Sequence, residues 1–122
     1  MEIREIMSSS FTTIEPQSTL IEAFEMAEDR NLQALLVMAR GHVCGVVTSQ
    51  DIARQFVAEN EDMAAQKHVE DVMSRKIASC YVDTDVRKAR AFVRKVRCQH
   101  LVVCNRDKHV VGLLSARDLE AR

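Results

Sequence analysis

The sequence has little net charge and no long apolar run. Its 122 residues carry a formal net charge of −1, which gives no general attraction to nucleic acid or to acidic lipid. The longest uninterrupted apolar run covers residues 34–39, whereas a membrane-spanning helix needs roughly 20 apolar residues. No basic stretch followed by an apolar one opens the chain, so we expect no secretory leader. These absences indicate a cytoplasmic protein, the size of one ordinary domain, that binds no membrane. Nucleic-acid binding through the basic second half is kept as a less favoured alternative, which the salt dependence of binding would reveal.

The sequence also lacks the local motifs that accompany common catalytic sites. It contains no glycine-rich phosphate loop, no glycine-flanked serine elbow and no pair of histidines at metal-binding spacing. Asp51 and Asp118 have no potential base beside them in the sequence. We therefore expect a protein that is not an enzyme.

Four cysteines and four histidines raise the question of a metal site, for which Cys98, His100 and Cys104 are the best candidates. These residues fall on a predicted strand, where His100 and Cys104 would lie roughly 13 Å apart at about 3.3 Å per residue. Zinc holds its ligands at roughly 2.0–2.3 Å, so these two side chains cannot share one ion. We expect no metal site and interpret the cysteines as reduced thiols that pack as small apolar side chains.

What the sequence does contain is an internal duplication. Residues 45–53 (GVVTSQDIA) match residues 112–120 (GLLSARDLE), so that a glycine, a hydroxyl and an aspartate recur at the same spacing. An offset of 66 also superposes IREIM (3–7) on VEDVM (69–73) and QALLV (33–37) on QHLVV (99–103). Each repeat has about 55 residues, which is marginal for an independent core, whereas two repeats together make an adequate domain. We therefore divide the chain into residues 1–66, the first repeat with its linker, and residues 67–122, the second repeat.

The hydrophobic periodicity changes in the same order in both repeats. A short extended segment precedes apolar residues at helical spacing, which begin at Leu20 in the first repeat and at Val86 in the second. Two apolar runs separated by turn residues then predict a hairpin in each repeat, and a further helix begins after Thr48 and after Ser115. The sequence therefore predicts an α+β fold in which the order strand, helix, strand, strand, helix occurs twice.

Polar residues mark the expected helix starts and the connection between the repeats. Ser18 or Thr19 is expected to cap the first helix, and Asp83 or Thr84 the corresponding helix of the second repeat. The polar stretch 59–68 (ENEDMAAQKH) is predicted to be a linker.

This doubled order, with Gly-x-x-(Thr/Ser)-x-x-Asp closing each repeat, resembles the tandem CBS-domain (Bateman) module over nearly the whole chain, from Ile3 to Arg122. The resemblance implies two repeats packed with pseudo-two-fold symmetry into one module. It also implies clefts between the repeats that bind AMP, ADP, ATP or another adenosyl compound, with no cofactor required. Modules of this kind act as regulatory sensors, which signal the state of the ligand to a partner protein by conformational change.

The pairs Thr48/Asp51 and Ser115/Asp118 have two interpretations. A hydroxyl at a helix start, followed three residues later by an acid, resembles a capping box. A capping box usually uses Glu or Gln, however, and both copies here carry the shorter Asp. An aspartate in this position can accept both hydroxyls of a ribose, while the neighbouring hydroxyl and free backbone N–H groups suit a phosphate. The two roles are compatible, because the hydroxyl can cap the helix while no ligand is bound.

The resemblance further implies which residues line each cleft, with sugar and phosphate contacts from one repeat and base contacts largely from the other. One cleft would use Ser115, Arg117 and Asp118, which would face Ser10, Thr12, Leu32, Gln33 and His100. The second cleft would use Thr48, Gln50 and Asp51, which would face Lys76, Ala78, Cys98 and Gln99.

Four side chains retain alternative interpretations. Arg54 and Arg117 are candidate phosphate partners because a guanidinium matches phosphate geometry, but either can be a solvated surface arginine. His100 is a candidate phosphate contact or a structural histidine. Tyr81, the only tyrosine, either stacks on a base or packs in the core.

Charge is divided unevenly between the halves of the chain. Residues 1–68 hold 5 basic and 11 acidic side chains, whereas residues 69–122 hold 12 basic and 7 acidic ones. The first long helix carries an acidic stripe of Glu22, Glu25 and Asp29. The corresponding helix of the second repeat carries a basic stripe of Arg87, Arg90, Arg94 and Arg97. CBS modules commonly pair through these helices, and Ile21 and Phe24 add apolar surface beside the acidic stripe. We expect a head-to-tail homodimer, and the alternative is that both stripes are merely solvated. The alternative to the sensor function is an interaction module that dimerises without a ligand.

Overall fold

The structure is a computed structural model that describes residues 1–121. The chain forms two compact units: a central unit, Thr12–Arg75, and a terminal unit, which joins Met1–Phe11 to the chain from Lys76 onward. The segment that opens each sequence repeat therefore packs with the rest of the other repeat. Within residues 1–121, the helices are too short or too polar to cross a membrane.

The central unit is a three-stranded sheet with helices. Its elements are β1 (Thr13–Ile14), α1 (Leu20–Arg30), β2 (Ala34–Ala39), β3 (His42–Thr48), α2 (Ser49–Ala58), α3 (Glu61–Gln66) and a 3₁₀ helix at Val69–Asp71. The strand order is β1-β2-β3, with β1 parallel to β2 and β2 antiparallel to β3.

The terminal unit repeats this arrangement. It contains a 3₁₀ helix at Ile3–Glu5, β4 (Ala78–Tyr81), α4 (Val86–Val96), β5 (His100–Cys104), β6 (Val110–Ser115) and α5 (Ala116–Glu120). The strand order is β4-β5-β6, again with one parallel and one antiparallel pairing. The predicted α+β fold and the doubled order of elements are confirmed.

Two local predictions were wrong, and the first concerns the linker. Residues 61–66 form α3, because the Asn60 side chain caps this helix by accepting the N–H of Met63 at 2.9 Å. The packing of Ala64, which is 0% exposed, further anchors the helix.

The second error concerns the start of α4. Asp85 caps this helix, and its carboxylate accepts a backbone N–H of the first turn at 2.8 Å. The two predicted caps are engaged elsewhere: the Thr84 hydroxyl accepts the N–H of Tyr81 at 3.2 Å, and Asp83 pairs with Arg106 at 2.8 Å.

Each unit has its own hydrophobic core. Each core includes an aliphatic residue from the opening segment of the other repeat, and we call these segments, residues 3–7 and 69–73, the exchanged segments. Ile3 packs with Val86, Leu101 and Leu119 in the terminal unit. Val69, which is 66 positions later, packs in the central unit among residues such as Leu20, Leu35 and Ile52. Ile3 and Val69 are both 0% exposed, so the exchanged segments are integral parts of their units.

The glycine of the repeated motif is explained by close backbone packing. A Cβ at Gly45 would lie 2.5 Å from the Ser74 carbonyl oxygen, and a Cβ at Gly112 would lie 2.9 Å from that of Ser8. In both units the chain just after the 3₁₀ helix pairs with the strand at this point. Close packing thus explains why a glycine recurs at the same position of both repeats, and this explanation requires no ligand.

We expect Gly45→Ala to lower the free energy of unfolding by about 1–3 kcal/mol, because the added methyl group must displace backbone atoms. Urea unfolding followed by circular dichroism measures the loss. The matched control is Gly41→Asn, where φ is +79° and no atom lies within 4 Å of a new Cβ. Asn adopts positive φ more readily than most residues other than glycine, so this variant should show only the smaller cost of backbone strain, and equal losses in the two variants would contradict the packing explanation.

Candidate functional site

Two equivalent junctions between strand and helix carry the repeated hydroxyl and aspartate. Thr48 ends β3 and caps α2, and its hydroxyl accepts the N–H of Asp51 at 3.1 Å. Ser115 ends β6 and caps α5, and its hydroxyl accepts the N–H of Asp118 at 3.0 Å. The predicted capping role of both hydroxyls is confirmed.

The two aspartates differ in how their carboxylates are used. Asp51 Oδ2 accepts the N–H of Thr48 at 3.2 Å and so closes a capping box, while Oδ1 pairs with Arg54 at 3.3 Å. The capping-box interpretation of this pair therefore holds for Asp51, although such a box usually uses the longer Glu or Gln. Asp118 is exposed, and within residues 1–121 its carboxylate has no hydrogen-bonded partner. The Asp118 carboxylate can therefore accept hydrogen bonds from a ligand without losing a hydrogen bond within residues 1–121.

In the central unit, the candidate residues gather at the start of β2. Thr48 pairs with Ala34 across the hairpin, and the Gln33 carbonyl accepts the N–H of Ser49 at 2.9 Å. Gln33 and Gln50 are exposed. Both amide side chains are therefore accessible beside the Thr48 junction.

Two other central-unit candidates serve the fold directly. Leu32 is half-buried against the core. The Thr12 carbonyl accepts the N–H of Leu36 at 3.0 Å, where β1 meets β2, and its hydroxyl accepts a hydrogen bond from Arg30 at 3.5 Å. Each of these residues has a structural role, whatever its part in binding.

In the terminal unit, Gln99 and His100 lie beside Ser115. His100 is the register partner of Ser115, and the Gln99 carbonyl accepts the N–H of Ala116 at 2.8 Å. Gln99 and Arg117 are exposed. The structure thus brings a second candidate group together around the Ser115 junction.

The remaining terminal-unit candidates vary in exposure. Ser10 and Lys76 are exposed and Ala78 is half-buried. Cys98 is only 6% exposed and packs in the core, which argues against its thiol as a ligand contact and agrees with its interpretation as a small apolar residue. No group of three or more potential metal-ligating side chains occurs among the described residues.

Arg90 and Arg94 hold α5 in position. The sequence had predicted both on the basic stripe of α4. Arg94 forms two hydrogen bonds to the Glu120 carboxylate, at 2.8 and 2.6 Å, and this contact lowers the pKa of Glu120. Arg90 donates to the carbonyl of Leu119 at 3.4 Å. These contacts tie the short helix that carries Asp118 to α4. The local sequence contains no signal for them, because the partners are about one helix and one hairpin apart.

Comparison with known proteins agrees with the duplicated fold. The family model for the CBS domain matches residues 3–58 and again residues 69–121. The CBS domain-containing protein YhcV of Bacillus subtilis is 25% identical over 117 residues, which make up 96% of this chain and 81% of YhcV. Several other curated relatives are longer enzymes, of which the chain spans 21–33%.

Two solved structures share the fold over nearly the whole chain. One is the CBS domain pair of protein MJ0100 in complex with 5′-methylthioadenosine and S-adenosyl-L-methionine, with a TM-score of 0.79, 23% identity, and coverage of 99% of this chain and 94% of that one. The other is CBSX2 in complex with AMP, with a TM-score of 0.75, 17% identity, and coverage of 98% and 93%. At these identities the likeness establishes the fold.

Proposed function

This chain belongs to the CBS-domain family, since the two matched repeats account for nearly all of it, and we propose that it is a regulatory module that binds an adenine nucleotide or a related adenosyl compound. The observation that carries the proposal is the duplicated junction of hydroxyl, helix start and aspartate, in which Asp118 is exposed. The related pairs that bind S-adenosyl-L-methionine, 5′-methylthioadenosine and AMP support this class of ligand.

The chemistry of the junctions suits a ribose phosphate. A carboxylate accepts hydrogen bonds only, so Asp51 and Asp118 fit the two donor hydroxyls of a ribose. The side chain of Arg54 is 69% exposed and Arg117 is exposed; either would pair with a phosphate, for which a guanidinium offers a matching fork of donors. Gln33 and Gln99 are exposed amides that would make polar contacts to a base, Gln33 in the cleft of Ser115 and Gln99 in the cleft of Thr48.

A thermal-shift experiment tests the proposal against the alternative of a module that dimerises without a ligand. A compound that binds only the folded state raises its stability by RT ln(1 + [L]/Kd), or about 2.7 kcal/mol at 100 times Kd. We expect AMP, ATP or S-adenosyl-L-methionine to raise the melting temperature, and GMP, the control, to raise it less. No shift with any adenosyl compound would favour the interaction module.

Signalling requires that the ligand favour one conformation over another. A ligand shifts such an equilibrium only by the difference between its affinities for the two states. We propose that the bound state differs in shape and that a partner protein recognises this difference. Small-angle scattering with and without saturating ligand tests this step, and identical profiles would indicate a static scaffold.

We also propose a head-to-tail homodimer in which the acidic stripe of α1 faces the basic stripe of α4. The test must avoid Arg90 and Arg94, because both contact α5 within their own unit. Exposed pairs contribute only about 0.2–1 kcal/mol each, so charge selects the orientation more than the strength of the contact.

Replacing both Glu25 and Asp29 by Arg should therefore weaken the dimer, because arginines would face arginines. Adding Arg87→Glu and Arg97→Glu should partly restore it, and higher salt should loosen the wild-type dimer. Sedimentation velocity at micromolar protein concentration measures all three effects. A wild-type monomer in low salt, or a dimer unaffected by the first pair of substitutions, would refute the proposed orientation.

A further inference from the structure

The terminal unit contains a cavity that the proposed adenosyl sites do not use. It has a volume of about 570 Å³ and lies between β4, α4 and the turn after β5. Small-molecule pockets in proteins have volumes of roughly 300–1,000 Å³, so the cavity is large enough for a compact organic ligand.

This cavity is remote from the Ser115 junction in the same unit. His100, the first residue of β5, pairs with Ser115, whereas Cys104, the last residue of β5, lines the cavity. These positions are four steps apart along the strand, or roughly 13 Å at about 3.3 Å per residue. The cavity therefore lies towards the end of β5 that is farther from the junction.

The walls of the cavity are largely apolar and uncharged. Tyr81 and Phe92 provide two aromatic rings, and Phe92 is 41% exposed although it is a large apolar residue. Cys80 and Cys104 also line the cavity as free thiols. Burial, together with the nearby Cys104 and Cys98 thiols, raises the pKa of Cys80 to about 11, so its thiol is neutral at physiological pH.

The charged groups that line the cavity are both cationic. Lys88 projects from α4 and Lys108 from the turn between β5 and β6, and the described lining includes no acidic side chain. The nearby Asp83 is already held by Arg106 through contacts of 2.8 and 3.0 Å. Arg106 also lies over the Tyr81 ring, 4.1 Å from its centroid; because Asp83 balances its charge, Lys88 and Lys108 are the cations of the lining that such a pair does not neutralise.

The turn that carries Lys108 is held by hydrogen bonds. The Asn105 side chain accepts the N–H groups of Asp107 at 3.0 Å and His109 at 2.9 Å. The N–H of Lys108 donates to the Asn105 carbonyl at 3.0 Å. A turn fixed in this way reduces the ordering cost when a ligand binds beside it.

We propose that this cavity is a second binding site and that it takes a small aromatic carboxylate. The aromatic rings of Tyr81 and Phe92 provide apolar contact for the ligand ring, and Lys88 and Lys108 provide the counter-charge for its carboxylate. A nucleoside fits less well, because no carboxylate lines the cavity to accept ribose hydroxyls. The cavity shares no lining residue with the proposed adenosyl sites. The aromatic carboxylate can therefore bind whether or not those sites are occupied.

Calorimetry with naphthoate as the probe tests the site. We expect saturable binding to the wild-type protein and a loss of affinity of roughly tenfold or more when Lys88→Met and Lys108→Met are combined, since two charge-assisted contacts disappear. Lys95→Met is the matched control, because Lys95 is an exposed lysine of α4 outside the cavity lining. The neutral analogue naphthamide should bind the wild-type protein more weakly than naphthoate.

Amide chemical shifts locate the bound probe. Naphthoate should move the resonances of Tyr81, Phe92 and Lys108 and should leave those of Ser115 and Asp118 in place. The proposal is overturned if naphthoate does not saturate, if naphthamide binds as tightly, if Lys95→Met causes the same loss, or if the shifts centre on Asp118.

Discussion

Asp118→Ala is expected to weaken the binding of an adenine nucleotide while leaving the melting temperature of the free protein almost unchanged. Its carboxylate is exposed and has no hydrogen-bonded partner within residues 1–121, so its removal breaks no such contact in the fold. The backbone N–H of residue 118, which the Ser115 hydroxyl accepts, is retained in the variant. Loss of a pair of charge-assisted hydrogen bonds should cost roughly 1.5–3 kcal/mol, or about 10- to 150-fold in Kd. Calorimetry measures the affinity, and a thermal melt without ligand measures the stability.

Asp51→Ala provides the matched comparison, because Asp51 closes the capping box of α2 and pairs with Arg54. This variant should lose affinity at its own site and should also lose stability, by about 0.5–2 kcal/mol for a lost cap interaction. The double variant should bind least. An affinity that is unchanged in the double variant would refute the assignment of both aspartates.

Ile3→Ala should lower the free energy of unfolding by about 2–5 kcal/mol, the range for truncation of a buried isoleucine. Ile3 is 0% exposed in the core of the terminal unit, and its N–H donates to the Thr84 carbonyl at 2.9 Å. The large effect would show that a segment close to the N-terminus completes a core built mainly by the second repeat.

Urea unfolding of Ile3→Ala is best compared with that of two other variants. Val69→Ala removes the equivalent aliphatic side chain from the central unit and should also be costly. Val57→Ala alters a residue that is 87% exposed and should change stability little. If Ile3→Ala were as mild as Val57→Ala, the first segment would not be part of the terminal core.

The order of elements could be predicted because its signals are local. Helical spacing of apolar residues identified α1 and α4, and paired apolar runs with turn residues between them identified both hairpins. In the first hairpin, Arg40 and Gly41 both adopt positive φ values, of 53° and 79°, as a two-residue turn between strands requires.

The exchange of leading segments could not be predicted, because it depends on contacts that are distant in the sequence. IREIM and VEDVM are similar segments, and each has a buried aliphatic residue that could fill either core. Nothing in their local pattern selects between the two repeats. The start of α4 was missed for a related reason, since Asp83 is engaged by Arg106, which is 23 residues away.

The candidate site was predicted as a motif, but its internal differences were not. The sequence placed Thr48, Asp51, Ser115 and Asp118 at helix starts, and the structure agrees. Whether each carboxylate is occupied or available depends on side-chain positions within an ångström or so, which spacing alone does not specify. The contacts of the α4 arginines could not be predicted for the same reason. Arginines that form an exposed stripe and arginines that contact α5 recur at the same helical spacing.

Binding of an adenosyl ligand at the two junctions can be measured by calorimetric titration of the wild-type protein. AMP, ATP and S-adenosyl-L-methionine would be titrated beside GMP and CMP under identical conditions. We expect saturable heat with at least one adenosyl compound and markedly weaker binding of the other nucleotides. Absence of saturable heat with all three adenosyl compounds, or equal affinity for GMP, would contradict the proposed adenosyl binding.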